Sequence, residues 1–338
     1  MRLAILAHDH FPERAKTALG VLRYGDQEVV AIVDRGRAGS RIDAVLEGMG
    51  SQPIVDSVAT LEPDAADALL VGVAPIGGRL PEDWRPDILT ALDRGWDVIA
   101  GLHDFLGEQA EFAERAATTG ATIHDVRKPP RDSDVSEGRA GSVDATVVCT
   151  VGTDCSVGKM TTSMELVRSA KERGIDATVV PTGQTGVIVT GWGTVVDSVP
   201  SDFVAGVVED LVCEAAADHD LLVVEGQGSV VHPAYSGVSL GILHGAMPDR
   251  LVLCHEAGRH RIHGYEHVAL PATAAIAGLY EALAAPVAPA PVVAGALNTA
   301  ALEPEAAQRV IERLATALEV PVADPVRQDP VTILEAIV

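Results

Sequence analysis

The amino-acid sequence predicts an α/β protein with two doubly wound parallel-sheet domains. At 338 residues the chain is long enough for two domains that each bury a core. Short apolar runs alternate with segments of helical composition along most of its length. Aromatic residues make up 3% and the apolar set 47%, a mixture that suits parallel sheets covered by helices of small residues.

The first domain, predicted over residues 1–130, has the alternation of a Rossmann-like sheet. The predicted strands are 3–7, 29–33, 69–74 and 97–100, and the predicted helices are 13–23, 41–49 and 108–119. No G-x-G-x-x-G follows the first strand, so this half carries no dinucleotide fingerprint. We expect the turns at 72–81 and 101–108 to face the second domain.

The segment KPPRDSDVSEGRAGS at 128–142 is rich in proline, glycine and charge, and it predicts a linker over 131–143. The second domain then covers 144–338 as a P-loop NTPase-like doubly wound sheet. Its predicted strands are 145–151, 177–180, 221–225, 250–254 and 291–297, and its predicted helices are 160–173, 202–217, 272–284 and 303–318. Ligands of such sheets bind beyond the carboxyl ends of the strands.

The charge balance argues against nucleic acid or anionic lipid as a partner. There are 48 acidic and 25 basic residues, a formal net charge of −23. No signal-peptide core is evident, and no apolar run approaches the roughly 18 residues of a membrane helix. Four scattered cysteines indicate neither a disulfide framework nor a zinc knuckle. We expect a cytoplasmic protein that acts on a small molecule and forms a homo-oligomer, and we hypothesise a halophilic source.

A glycine-bounded loop connects the predicted strand 145–151 to the predicted helix 160–173. Backbone N–H groups in such a loop, a helix N-terminus and a lysine together cradle phosphate oxygens. Five residues separate its two glycines, whereas four separate them in the usual G-x-x-x-x-G-K-[ST], so Thr153 stands where the first glycine is expected. The alternative is an ordinary loop before a helix. The predicted cofactor-binding residues of the loop are Gly152, Thr153, Asp154, Cys155, Ser156, Val157, Gly158, Lys159, Met160 and Thr161.

The residue after the loop lysine normally offers a hydroxyl to Mg²⁺, and here it is Met160, which cannot ligate a hard cation. Either Thr161 takes over that role, or the loop holds a diphosphate without metal chemistry. The second option favours a carrier cofactor such as coenzyme A. If Mg²⁺ is used, its candidate ligands are Thr161, Asp202 and Glu225, although Asp202 could equally cap the helix 202–217.

Three side chains are candidates for catalysis: Lys159 at the phosphates, and Glu225 or His232 for proton transfer. Glu225 ends a strand and precedes a glycine-rich turn, where a carboxylate can serve a metal or act as a base. A strand-terminal capping acid and a surface histidine are the alternatives. Amide dipoles would lower the pKa of the Cys155 thiol, yet a small loop-filling residue is the simpler interpretation. His255, His260, His263 and His267 lack a zinc motif.

The loop is similar to that of dethiobiotin synthetase-like ATPases, which read G-T-D-T-x-V-G-K-T. In these relatives an E-G-x-G segment places a carboxylate beside the phosphates, and an asparagine reads the purine edge. That resemblance implies that Glu225 supplies the carboxylate beside the phosphates and that Asn298 reads the purine edge. It also implies an ATP-dependent ligase or kinase acting on a small carboxylate, with ATP and Mg²⁺ as cofactors.

A wider resemblance spans nearly the whole chain. It rests on KTALGVLRYG, GVAPIGGRLPEDW, GLHDFLGE, DVRKPP, GTDCSVGKMTT, PTGQTG, EGQGSVVHPAYSGVSLG and LCHEAGR. These motifs resemble a two-part family long catalogued as a domain of unknown function, whose members are described as DgcN-type D-glutamate N-acetyltransferases. The resemblance implies transfer of an acetyl group from acetyl-CoA to the amine of D-glutamate or a related amino acid, with the coenzyme diphosphate on the P-loop.

Overall fold

The computed structural model describes residues 1–73 and 78–338, which form two compact units. Unit 1 comprises Met1–Pro129 and Gln184–Ser198, and unit 2 comprises Pro130–Gly183 and Val199–Val338. Each unit contains a parallel sheet with helices, which confirms the predicted fold class. Residues 74–77, inside the predicted turn 72–81, lie outside the described residues. Within the described ranges, no helix is long and apolar enough to cross a membrane.

Unit 1 is built on a sheet with the strand order β3-β2-β1-β4-β5-β6. Its elements are β1 (Arg2–Leu6), α1 (Lys16–Tyr24), β2 (Glu28–Val33), β3 (Ile54–Val55), β4 (Ala68–Val71), α2 (Arg85–Asp93), β5 (Asp97–Ala100), α3 (Ala110–Thr119) and β6 (Ile123–Asp125). The central strand β1 is buried from its second residue onward. Burial on both faces makes such a strand an unbroken apolar run, which is why the sequence located it.

The predicted helix 41–49 is wrong, because only a single 3-10 turn forms there, at Ile42–Ala44. Gly48 and Gly50 both adopt positive φ angles, +79° and +94°, that a right-handed helix cannot contain. The chain instead turns back, and the Ile42 N–H donates to the Gln52 carbonyl at 3.0 Å. Glycine geometry therefore overrides the helical composition of this segment.

Unit 2 is built on a sheet with the strand order β14-β13-β10-β7-β9-β8, beside a small antiparallel hairpin, β11-β12. In chain order its first elements are β7 (Thr146–Gly152), α4 (Lys159–Glu172), β8 (Ala177–Val180), then α6 (Val204–Ala216), β9 (Leu221–Glu225), α7 (Ser236–Ala246) and β10 (Arg250–Glu256). They are followed by β11 (Arg261–Ile262), β12 (Tyr265–Ala269), α8 (Thr273–Ala284), β13 (Val292–Asn298), α9 (Pro304–Leu318), β14 (Val322–Ala323) and α10 (Val331–Ile337).

The helix α5 (Gln184–Thr190) belongs to unit 1, although it lies between β8 and α6 in the sequence. The motif PTGQTG at 181–186 predicts a glycine loop. That prediction is wrong for its second half, because the helix begins at Gln184. Within unit 1, the Gln184 amide donates to the Thr17 hydroxyl at 3.1 Å, and the Thr17 and Thr185 hydroxyls lie 3.2 Å apart. Packing on α1 stabilises a helix whose glycine and β-branched residues disfavour it locally.

The segment predicted as a linker over 131–143 belongs to unit 2, and its second half packs on α6. The buried carboxylate of Glu209 on α6 accepts hydrogen bonds from the Ser136 hydroxyl and from the N–H groups of Glu137 and Arg139, at 2.7–2.9 Å. Burial alone would raise the pKa of Glu209, but these hydrogen bonds outweigh it and lower the pKa. One carboxylate thus orders a stretch whose composition predicts flexibility.

Candidate phosphate-binding site

The strand order of unit 2 brings one loop and the ends of two neighbouring strands to the same edge of its sheet. Strand β7 lies between β9 and β10, with Thr150 beside Glu225 on one side and Gly152 beside Cys254 on the other. Because parallel strands end at the same edge, the loop after β7, Glu225 and His255 converge there. The sheet therefore places the predicted phosphate loop at a point where ligands of doubly wound sheets bind.

The predicted phosphate loop has the backbone geometry of an anion cradle. Strand β7 ends at Gly152 and α4 begins at Lys159, with Gly158 in the left-handed region at φ +101°. Ser156 also has a positive φ of +56° at the exposed tip of the loop, while Val157 is buried beneath it. Left-handed residues before a helix direct successive N–H groups toward one point. A Cβ at Gly152 would lie 2.6 Å from Lys159 Nζ and 3.0 Å from the Asp154 carbonyl oxygen, so a larger residue would displace the lysine.

Lys159 is folded into this loop rather than into solvent. Its side chain is only 7% exposed, and Nζ donates to the carbonyl oxygens of Asp154 at 2.9 Å and Gly228 at 2.7 Å. These two carbonyls belong to the P-loop and to the turn after β9. The ammonium group is consequently held at the mouth of α4, where it can act as a point charge on a bound phosphate.

Two side chains that the sequence analysis did not assign to the phosphate loop fix its start. The Tyr280 hydroxyl on α8 donates to the Gly152 carbonyl at 2.9 Å and accepts from the Val230 N–H at 3.2 Å. Burial raises the pKa of this phenol to about 12, so it stays protonated as a donor. The only sequence signal was a tyrosine, one of four in the chain, within an alanine-rich helix.

His255 holds the next residue of the loop. Its Nδ1 lies 2.8 Å from the hydroxyl of Thr153, which is fully buried, and the Thr153 N–H donates to the Cys254 carbonyl at 3.0 Å. Burial lowers the pKa of His255 to about 4. The imidazole is therefore neutral at physiological pH and positions the loop through a hydrogen bond, without adding positive charge.

Asp154 connects the loop to the segment after β10. Its carboxylate is completely buried and accepts from the Cys155 N–H at 2.7 Å, from the His263 N–H at 2.8 Å and from Arg259 Nη1 at 3.2 Å. Arg259 also pairs with Glu256. The side chain of this predicted cofactor-binding residue thus faces the protein, and a contact of Asp154 with phosphate stays a prediction.

Glu225 lies at the carboxyl end of β9 and is 2% exposed. Its Oε2 accepts from the Gly183 N–H at 3.3 Å, and its backbone carbonyl accepts from the Thr182 hydroxyl. Among the described residues none donates to Oε1. The following Gly226 has no room for a side chain, because a Cβ would collide with the Thr150 carbonyl oxygen. The acid is therefore held beside the P-loop strand with one oxygen uncommitted.

His232 is buried at 2% exposure, and both of its ring nitrogens are engaged. Nδ1 accepts from the Ala234 N–H at 3.1 Å, so Nε2 carries the proton and donates to the His263 carbonyl at 3.1 Å. The rings of Tyr235 and Tyr265 flank the imidazole with centroids at 4.7 and 5.3 Å. This environment suits a structural histidine better than a proton acceptor.

Possible metal ligands gather at one point of the described chain. Atoms of Asp154, Cys155 and His232 lie within 4.8 Å of one another. They fit a cation poorly, because the carboxylate already accepts from Arg259 and backbone N–H groups, and both imidazole nitrogens are committed. The Cys155 thiol is half-buried at the loop, and its sulfur lies within 4.8 Å of a ring nitrogen of His232.

The residues predicted for Mg²⁺ lie on three different elements of unit 2. Met160 is 6% exposed and packs into the core, whereas Thr161 beside it is half-buried. Asp202 is exposed on a 3-10 turn, Ser201–Phe203, and α6 begins at Val204 without a side-chain cap, so the capping alternative for Asp202 is wrong. A role for Thr161, Asp202 and Glu225 in binding Mg²⁺ stays a prediction.

Asn298 ends β13, at the same edge of the sheet as the P-loop. Its side-chain oxygen accepts from the Ala300 N–H at 3.0 Å, which shapes the turn that follows. The amide nitrogen is the part of this side chain that could face a purine. That contact also stays a prediction.

Comparisons with known proteins agree over both halves of the chain. A family model described as a domain of unknown function, the DUF1611_C P-loop domain, matches residues 134–334, and the DUF1611_N Rossmann-like domain matches 35–129. A D-glutamate N-acetyltransferase from Tritonibacter scottomollicae is 33% identical over 96% of this chain and 94% of its own. Another, from Pseudoalteromonas sp, is 37% identical over 78% of each chain.

A solved structure extends the similarity to the fold. The crystal structure of a DUF1611 family protein from Anabaena variabilis ATCC 29413 is 37% identical to this chain and superposes with a TM-score of 0.94. The match covers 99% of this chain and 98% of the other.

Proposed function

The chain belongs to the DUF1611 family, and from that premise we propose that it is an N-acetyltransferase that moves an acetyl group from acetyl-CoA to the amine of D-glutamate or a related amino acid. The names of the two relatives support the reaction class. In this proposal the P-loop holds the diphosphate of the coenzyme, and the acyl group is the part that reacts.

The observation that carries the choice of cofactor is the pair Lys159 and Met160. Lys159 lies at the loop with its ammonium group held by the Asp154 and Gly228 carbonyls, at the position where diphosphate binding requires a positive charge. Met160 occupies the position of the usual Mg²⁺ hydroxyl and is buried in the core. A loop that keeps the lysine and replaces the hydroxyl by a thioether suits an anchored diphosphate better than phosphoryl transfer.

The acceptor must lose a proton before or while it attacks. The amine nitrogen forms a bond to the thioester carbonyl carbon, the C–S bond breaks, and coenzyme A leaves as a thiolate. We assign the proton to Glu225 Oε1, from which it can pass to the leaving thiolate. Glu225 is preferred to His232 because both imidazole nitrogens are engaged. The assignment requires the flexible pantetheine arm to fold back toward the loop.

Ligand-dependent thermal stability tests the proposal. Acetyl-CoA and metal-free ADP should both raise the melting temperature, because both present a diphosphate to the loop. A panel of D- and L-amino acids is then assayed for release of free CoA thiol, and D-glutamate should give the fastest release. Lys159→Ala should abolish both effects, whereas Lys171→Ala, an exposed lysine on the same helix, should preserve them.

The alternative is an ATP-dependent ligase or kinase acting on a small carboxylate. The position of Glu225 beside the phosphate loop favours it, since such enzymes use an acid there. The same experiment separates the two. Stabilisation by Mg-ATP alone, with ADP formed when a carboxylate substrate is added, would overturn the acetyltransferase proposal.

A further inference from the structure

An open cleft lies between the end of β10 and the hairpin β11-β12. Its volume is about 440 Å³, and nine residues between 256 and 266 line it. That volume is within the range of small-molecule sites. This hairpin is attached to the phosphate loop. The buried carboxylate of Asp154 accepts hydrogen bonds from the Arg259 side chain and from the His263 N–H.

The cleft carries charge of both signs. Arg259 and Arg261 contribute guanidinium groups, and Glu256 and Glu266 contribute carboxylates. Arg259 is neutralised by Glu256 and Asp154. Arg261 is exposed, and within the described ranges no carboxylate lies in salt-bridge distance of it. A guanidinium at a cleft that has no acidic partner can bind an external carboxylate.

The cleft also offers a negative charge, on the carboxylate of Glu266. Glu266 Oε1 accepts from the Gly264 N–H at 3.1 Å, and this hydrogen bond, the one to its own backbone and the nearby histidines lower its pKa. The carboxylate is therefore ionised at neutral pH, and it can bind an ammonium group. His260 and His263 are exposed around it and can donate hydrogen bonds to a second carboxylate.

We propose that this cleft binds the acceptor as an acidic amino acid, with one carboxylate on Arg261 and the ammonium group on Glu266. The proposal rests on the acetyltransferase function above and deepens it by locating the acceptor. The ligand class follows from the charges, because a small zwitterion with an additional carboxylate complements a guanidinium, a carboxylate and two imidazoles in one cleft. Asp154 connects this cleft to the phosphate loop, and in this proposal Glu266 holds the ammonium group in the binding step, before the amine passes to Glu225 and loses its proton.

Calorimetric binding of D-glutamate to the full chain without coenzyme tests the cleft independently of catalysis. Arg261→Ala should weaken D-glutamate binding about 10- to 100-fold, the value of a charge-assisted hydrogen-bonded contact. It should also raise KM for D-glutamate and change KM for acetyl-CoA less than about twofold. Arg313→Ala, an exposed arginine on α9 that does not line the cleft, is the matched control and should leave both unchanged.

A second ligand isolates the ammonium contact. Glutarate has two carboxylates like glutamate and no amine, so Glu266→Gln should weaken D-glutamate binding and spare glutarate, whereas Arg261→Ala should weaken both. Wild-type affinity for D-glutamate that survives Arg261→Ala would overturn the cleft proposal even if acetyl transfer is observed. Binding that depends on Arg261, with no acetyl transfer to any amino acid, would retain the cleft and refute the proposed function.

Discussion

Replacing Tyr280 by Phe tests whether tertiary contacts hold the phosphate loop. The substitution keeps the ring and removes one hydroxyl that is bonded to the Gly152 carbonyl and the Val230 N–H. Tyr280 is 1% exposed and Gly152 is buried, so the carbonyl would lose its partner without gaining water. An unsatisfied buried group costs about 1–3 kcal/mol. Val230 is half-buried and can recover a water, so the expected loss of unfolding free energy is about 1–3 kcal/mol in total.

Urea unfolding followed by circular dichroism measures this loss, and titration with acetyl-CoA measures the consequence for the site. Because Tyr280 fixes the first residue of the loop, coenzyme affinity should fall severalfold along with stability. Tyr235→Phe removes the hydroxyl of a tyrosine that is 49% exposed and should change the unfolding free energy little. A Tyr280→Phe protein with unchanged unfolding midpoint and unchanged coenzyme affinity would refute the assignment of the hydroxyl as a loop clamp.

Three other perturbations test the energetics. Burial lowers the pKa of His255 from 6.5 to about 4. Between these two pH values the unfolded chain binds a proton at His255 that the folded chain does not. The stability that this difference contributes is complete above about pH 6.5 and is lost as the pH falls toward 4. His255→Asn should therefore flatten the fall in melting temperature over that window, and parallel pH curves for both proteins would contradict the assignment. The net charge of −23 predicts a melting temperature that rises as KCl is increased from about 0.1 M to about 2 M, since salt screens repulsion; a constant or falling value in a thermal scan would count against a halophilic adaptation. Gly226→Ala should lower the unfolding free energy by more than about 3 kcal/mol or prevent folding, because the new Cβ meets the Thr150 carbonyl. The control Gly237→Ala on α7 has open space around it and should be neutral or slightly stabilising. Equal urea midpoints for the two variants would show that the backbone at Gly226 can move.

The strands of the two sheets were predictable because their residues are buried on both faces. The predicted strand 221–225 coincides with β9, and the predicted strand 145–151 differs from β7 by one residue at each end. Such strands appear in a sequence as continuous apolar runs bounded by polar residues. The two-residue strands β3 and β14 were missed, because pairing with a neighbour defines them and their composition does not.

Helix α7 shows why glycine misleads a reading of the sequence. Its residues include Gly241 and Gly245, which lower helix propensity. In the fold, however, these glycines face α6, where a Cβ at Gly241 would lie 2.7 Å from a Val204 methyl carbon and one at Gly245 would meet the Ala205 carbonyl. The close approach of two helices needs the missing side chains, and that need is visible only when both helices are in place.

The sequence by itself determined the phosphate loop, because its glycines, its lysine and the helix that follows are consecutive residues whose backbone geometry is a local property. Only the tertiary structure decided what surrounds that loop. Tyr280 and His255 are separated from their loop partners by 128 and 102 residues, and Arg259 reaches Asp154 across 105. Strand order brings such distant residues together, and it follows from the packing of the whole domain. For the same reason the sequence could indicate an anion site, whereas the neutral state of His255, the commitment of His232 and the charged cleft beside the loop depended on burial and neighbours that no short motif encodes.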